Sequence, residues 1–169
     1  MRKLIIVVAS MLVVVLFIFQ GFRQTFPLPM VENSELDAST GQSISDALDA
    51  IYFNVSIMGV QEATRESISS DFGLDADLFS EVYGRYTDGR FGVADVFIVR
   101  PASGKESQAR DALISIRTSR TSLFKNYNIY GASSIAENGV IYSRGDYLIL
   151  LMIENSDSVR DTLASYIPS

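Results

Sequence analysis

The sequence predicts an α+β fold, a small three-stranded and mostly antiparallel sheet covered by helices and preceded by an N-terminal transmembrane helix. Three observations carry this reading. Leu4–Phe19 is an almost unbroken apolar run. Apolar residues then recur at helical spacing through roughly the first half of the remaining chain. From Gly92 onward the pattern switches to strand, capped helix, hairpin and helix. Three segments follow from these signals. Residues 1–22 form a cytoplasmic tip and transmembrane signal anchor, 23–42 a stalk, and 43–169 an extracytoplasmic domain.

The anchor is read from length and flanks. At about 1.5 Å per residue, a helix reaching Phe22 covers about 28 Å, close to the ~30 Å of a bilayer core. The run exceeds the apolar region of a secretory signal peptide, and Gln20-Gly21-Phe22-Arg23 offers no small-x-small cleavage pair. An uncleaved anchor is therefore expected. Arg2 and Lys3 precede the run while only Arg23 closely follows it, which keeps the short N-terminus cytoplasmic. The stalk carries Pro27, Pro29 and small polar residues without periodicity.

Ile44, Ala47, Leu48, Ile51, Tyr52, Val55 and Met58 define one face of a first helix, with Ser43 or Ser45 at its start. A weaker helical stretch covers 62–71 and breaks at Phe72-Gly73. A third helix is expected from Asp75, its N-cap, to about Tyr83, with Leu74 stapled to Phe79. After the turn Thr87-Asp88-Gly89-Arg90, Gly92–Val99 reads as a strand ended by Arg100-Pro101. Ser103-Gly104-Lys105-Glu106 has the form of a capping box. The helix behind it places Ala109, Ala112, Leu113, Ile116 and Leu123 on one side, with Arg110, Arg117 and Arg120 largely outside that stripe. Residues 135–142 and 146–153 form a hairpin around Ser143-Arg144-Gly145-Asp146. Its second arm, Tyr147–Ile153, is apolar on both faces and so is expected in the sheet centre. Asn155 or Ser156 then caps a final helix bearing Val159, Leu163 and Tyr166.

The composition excludes much chemistry. The 169 residues contain no His, Cys or Trp. A Ser-His-Asp triad, a Cys nucleophile, a thiolate zinc site, a disulfide and a lipoprotein anchor are all ruled out. The net charge of −6 argues against nucleic acid as a partner.

The strings DFGLDADLFSEVYGRY (71–86), VADVFIVRP (93–101), LFKNY (123–127) and ENGVIYSRGDYLILLMIENSDSV (137–159) together resemble a bacterial domain-of-unknown-function family of small extracytoplasmic proteins, lipoprotein or signal-anchored. The resemblance covers about residues 44–167. It implies location and fold class and supplies no catalytic residues.

Several motifs have a plain structural reading. Arg144-Gly145-Asp146 is an RGD tripeptide, but a turn between two strands requires such residues. Ser122-Leu123-Phe124-Lys125 matches S-x-x-K, yet sits at a helix end and has no K-T-G element with it. Ser103–Glu106 resembles a P-loop tail but lacks its first glycine and its Ser/Thr. Asp71, Asp75 and Asp77 form a carboxylate cluster without EF-hand spacing; a helix cap and the helix dipole account for the last two. Asn54-Val55-Ser56 is a sequon expected on the half-buried face of helix one. No catalytic, cofactor-binding or metal-ligating residue is assigned, and no cofactor is implied.

One asymmetry is left over. Residues 24–81 hold 11 acids and one base, net −10, whereas 82–169 are nearly balanced at +1. The acidic helices either pack beside the arginine-bearing helix or leave an acidic face for a basic partner or cations. The expected partners are the lipid bilayer, through residues 4–22, and another envelope protein or ligand. The expected function is a membrane-tethered, non-catalytic binding or structural module of the bacterial cell envelope. The alternatives are a cell-wall or peptide hydrolase using Asp/Glu or Ser/Lys, and a cation or small-ligand sensor.

Overall fold

Two apolar runs organise the chain. A computed structural model describes the backbone of residues 33–169 and side chains from residue 40; Leu36–Ser169 form one compact unit. The expected membrane segment at 4–22 and the first part of the stalk lie outside the described residues. Among the described residues no helix is long and apolar enough to cross a membrane.

The first run is β3 (Asp95–Pro101) and the second is β5 (Tyr147–Met152), and they pair antiparallel with Val96 opposite Leu151 and Ile98 opposite Ile149. Because strand side chains alternate, this register sends Val96, Ile98, Tyr147, Ile149 and Leu151 to one face. Phe97, Val99, Leu148, Leu150 and Met152 go to the other. A strand that is apolar on both faces needs cover on both. On the first face lie α1 (Asn33–Tyr52) and α5 (Ser156–Tyr166), bringing Ile44, Leu48, Val159 and Leu163. On the second lie α2 (Arg65–Phe72), α3 (Glu106–Lys125) and α4 (Ala132–Glu137), bringing Ile68, Leu113, Ile116, Phe124 and Ala136. The result is a sheet between two helical layers.

The α+β class is as expected, but the sheet has five strands, not three, in the order β1-β2-β3-β5-β4, all antiparallel. The first added strand is β2 (Phe79–Thr87), which occupies much of the expected third helix. Phe79, Val82, Tyr83 and Tyr86 are spaced i, i+3, i+4, i+7, so a helical pattern is present. Six Cα pairings with β3, from Phe79↔Pro101 to Arg85↔Val96, decide in favour of the strand. Asp75 does act as a cap, its carboxylate accepting the Asp77 N–H at 2.9 Å, but of a three-residue 3₁₀ turn, Ala76–Leu78. The second added strand, β1 (Val60–Glu62), is too short to show a period.

Other boundaries moved for local reasons. α1 begins at Asn33, inside the segment expected as stalk, and ends at Tyr52, so Val55 and Met58 lie beyond it. The weak stretch near 62–71 is α2, held by a capping box not read from sequence: Thr64 Oγ1 accepts the Ser67 N–H, and Ser67 Oγ accepts the Thr64 N–H at 2.8 Å. The expected box at Ser103–Glu106 forms only in part, because α3 is capped at Lys105 and Glu106 merely accepts the Gly104 N–H at 3.3 Å. In α3 it is Arg120, not Leu123, that continues the buried stripe; Leu123 is 50% exposed. Residues 132–137 are helical, so the first hairpin arm, β4, covers only Val140–Arg144.

Candidate cleft at one end of the sheet

At the end where β2 finishes and β3 begins, the two helical layers stand apart. Four stretches meet there: the exit of α1 with residues 54–58, the loop 91–94 entering β3, the turn at Tyr130, and residues 153–162 running from β5 into α5. They enclose an open cleft of about 620 Å³, within the range of small-ligand sites of about 300–1,000 Å³. Its floor is apolar, with Ile51, Val93, Ile153 and Val159. Its walls carry Asn54, Ser56, Asn155 and Ser158, and among the described residues Glu154 is the one charged residue in the lining.

Backbone geometry at the cleft is unusual. Tyr130 (φ 49°, ψ 35°) and Asn155 (φ 52°, ψ 42°) are the positive-φ residues other than glycine among the described residues, and both line it. The left-handed region costs a side-chain-bearing residue roughly 1–2 kcal/mol, least for Asn. Such conformations concentrate at functional sites. The Tyr130 ring is left 81% exposed. Six of the eight large hydrophobics exposed among the described residues sit at this same end: Phe53, Met58, Val60, Leu123, Tyr127 and Tyr130. Scattered singly such residues mean little; of these six, Met58 and Tyr130 line the cleft itself.

A buried polar network braces the cleft from behind. Asp95 is fully buried at the head of β3, and Arg120 reaches it from α3 with an Nε donor at 2.8 Å. Asp95 also accepts the Thr87 N–H at 2.8 Å. Arg120 Nη2 donates to the Thr87 carbonyl, and its guanidinium lies over the rings of Phe72 and Tyr86. Burial pushes the Asp95 carboxyl above the usual carboxylate range, with Arg120 and the Thr87 donors pulling against it. The Thr87 hydroxyl donates to the carbonyl of Gly92 (2.8 Å), a cleft residue, so the network fixes the loop that shapes one wall.

The motifs singled out in the sequence fall elsewhere, apart from the sequon Asn54-Val55-Ser56. Arg144 of the RGD tripeptide is drawn to the end of α5, donating to the Ala164 carbonyl at 2.8 Å and the Ile167 carbonyl at 2.5 Å. Gly145 turns the hairpin at φ 52°. Ser122 and Lys125 are exposed at the end of α3. The three aspartates have separate partners: Asp71 accepts from Tyr86 and Ser70, Asp75 caps, and Asp77 pairs with Arg65 at 3.0 Å. The Ser70 and Tyr86 hydroxyls hold the Asp71 carboxyl below its ordinary range. Among the described residues, no three acidic side chains converge as a metal site would require. Asn54 of the sequon lies exposed past the end of α1, not on a half-buried helical face.

The acidic helix α1 does not pack beside α3; they lie on opposite faces. The charges instead meet through the sheet: Asp49 of α1 with Arg85 of β2, Glu81 of β2 with Arg100 of β3 at 2.5 Å, and Asp95 of β3 with Arg120 of α3. Arg110 and Arg117 reach Ser143 and the Gly139 carbonyl, both at 3.0 Å.

The cleft was missed because its parts are scattered over more than 100 residues. One signal was available: Asn126–Gly131 (NYNIYG) sets two tyrosines among turn formers, and aromatics on such a loop suggest recognition.

No curated protein and no solved structure matches the chain. One family model, described as a domain of unknown function (DUF4358), matches residues 54–153. The match runs from the wall of the cleft after α1 to its floor at Ile153, taking in the whole sheet and helices α2–α4. The chain belongs to the DUF4358 family.

Proposed function

We propose that this protein is a membrane-tethered, extracytoplasmic and non-catalytic binding module of the bacterial cell envelope, and that the cleft at the sheet end is its binding site. The carrying observation is the coincidence, at one end of the sheet, of an open cleft, the left-handed backbone of Tyr130 and Asn155 in its lining, and the exposed side chains of Met58 and Tyr130. Gly41 lies so near Tyr83 that a Cβ would stand 2.8 Å from its hydroxyl, whereas Tyr52 donates to the Ala94 carbonyl at the cleft end at 2.6 Å. Within the described domain, α1 therefore runs toward the cleft end. The single lining carboxylate supports a binding role over glycoside hydrolysis, which ordinarily uses two carboxyl groups.

Two measurements test this. Alkaline extraction of membranes, followed by protease added to intact cells, should leave the chain in the membrane fraction with its domain accessible from outside. A photocrosslinking residue at Met58 in the full chain should give a discrete adduct that a crosslinker at exposed Ile114, on α3, does not. A chain released by alkali, or the same adducts from both positions, would count against the reading.

A further inference from the structure

We infer that the cleft takes a neutral, hydroxyl-rich oligosaccharide; this rests on the cleft being the binding site. Asn54, Ser56, Glu154, Asn155 and the Ser158 hydroxyl make no side-chain hydrogen bond among the described residues, and neither does the Tyr130 hydroxyl. All six residues line the one cleft. In Asn155 this is unexpected. An asparagine at a helix N-cap ordinarily turns its oxygen onto the first turn, but here the backbone is left-handed and the side chain does not cap.

The ligand these groups fit is set by charge and shape. Among the described residues no Lys or Arg lines the cleft and Glu154 adds a negative charge, so a phosphate, sulfate or carboxylate finds no cationic side chain there. Neutral amides and hydroxyls on both walls match ligands that present hydroxyls around their edge. A pyranose also has an apolar C–H face, and the exposed Tyr130 ring at the mouth, with Phe91 in the lining, supplies aromatic surface for it. An extended peptide would instead seek a sheet edge; the edges here are β1 and β4, and neither lines the cleft.

The chain has no Trp, so Tyr130→Trp installs a single tryptophan, selectively excited beside the remaining tyrosines, at the cleft mouth while keeping the aromatic platform. The full-length variant, in a sugar-free zwitterionic detergent, is titrated with cellotetraose, maltotetraose and chitotetraose, with a sulfated tetrasaccharide as control. The expected result is a saturable emission change with at least one neutral probe at up to about millimolar concentration. Asn155→Ala or Ser158→Ala in the same background should weaken it about tenfold, and the sulfated probe should be inert. Calorimetry on the unlabelled chain should show the same preference, lost in Tyr130→Asn. No saturable change with any neutral probe, or equal response to the sulfated one, overturns the saccharide assignment. If the Met58 crosslink then joins a protein, the cleft remains the site and only the ligand class is wrong. If both titration and crosslink fail, the binding-site reading falls too.

Discussion

Arg120 and Asp95 form an ion pair in the core, the guanidinium Nε 2.8 Å from a carboxylate that no solvent reaches. The pair connects α3 to the first residue of β3 and, through Thr87 and Gly92, to the cleft wall. Removing one member strands the other charge, and for buried pairs this costs roughly 3–5 kcal/mol. Arg120→Leu and Asp95→Asn are each expected to destabilise by about that amount in urea denaturation. The double substitution should cost clearly less than the sum of the two. Additive losses would show that the two side chains do not act as a pair.

Stability should fall above pH 10. The Tyr52 hydroxyl is raised above the ordinary tyrosine range by burial and by the Asp95 charge. Tyr147 is raised by burial and by donating to Glu81 at 2.8 Å. A tyrosine with a raised folded pKa stabilises the fold fully below its unfolded value of about 10, and this contribution is lost as pH climbs through the folded value. Melting temperature should therefore be level from about pH 8 to 10 with respect to these groups and decline beyond. Tyr52→Phe should be less stable at neutral pH and show a shallower alkaline decline. An unchanged slope would exclude Tyr52 as a source.

Gly84, in the middle of β2, has φ 151°, and a Cβ there would stand 2.1 Å from the Val96 carbonyl oxygen across the ladder. Neither backbone nor neighbour can move without breaking the β2–β3 register. Gly84→Ala should cost at least about 3 kcal/mol, read as a large fall in the denaturation midpoint. A loss under about 1 kcal/mol would mean that the close approach is relieved cheaply.

Tyr130→Asn separates stability from recognition. Asn accepts the left-handed backbone that Tyr130 adopts at φ 49°, and the exposed ring contributes little burial. The variant is expected to match the parent or gain up to about 1 kcal/mol, while losing ligand binding at the cleft. A marked drop in melting temperature would instead give the ring a packing role.

Thr64→Ala removes one half of the Thr64/Ser67 capping box. Loss of such a cap costs about 0.5–2 kcal/mol. Hydrogen exchange should rise first in α2, with the β3–β5 ladder protected as before.

Much of the helical layer could be read from spacing. Ile44, Ala47, Leu48 and Ile51 are buried as expected, as are Ala109, Ala112, Leu113 and Ile116, and the uninterrupted apolar run Tyr147–Met152 is interior. In each case a local period maps directly onto one buried face. The failures share a different cause. Phe79, Val82, Tyr83 and Tyr86 satisfy a helical period as well as a strand's composition, and only the β3 partner resolves it. Arg120 reads as a surface cation until Asp95, 25 residues earlier in the chain, is placed against it.

The α+β class, the turn at Gly145 and the exclusion of His- and Cys-dependent chemistry were legible in the sequence, because these depend on composition and on contacts close along the chain. Tertiary structure alone decided the five-strand order, the burial of Arg120 and the cleft. These arise where segments distant in sequence converge: Asn54, Tyr130 and Asn155 line one cleft only because β2 and β5 finish, and β3 begins, at the same end of one antiparallel sheet. Long-range pairing sets that end of the sheet, and no local pattern of residues encodes it.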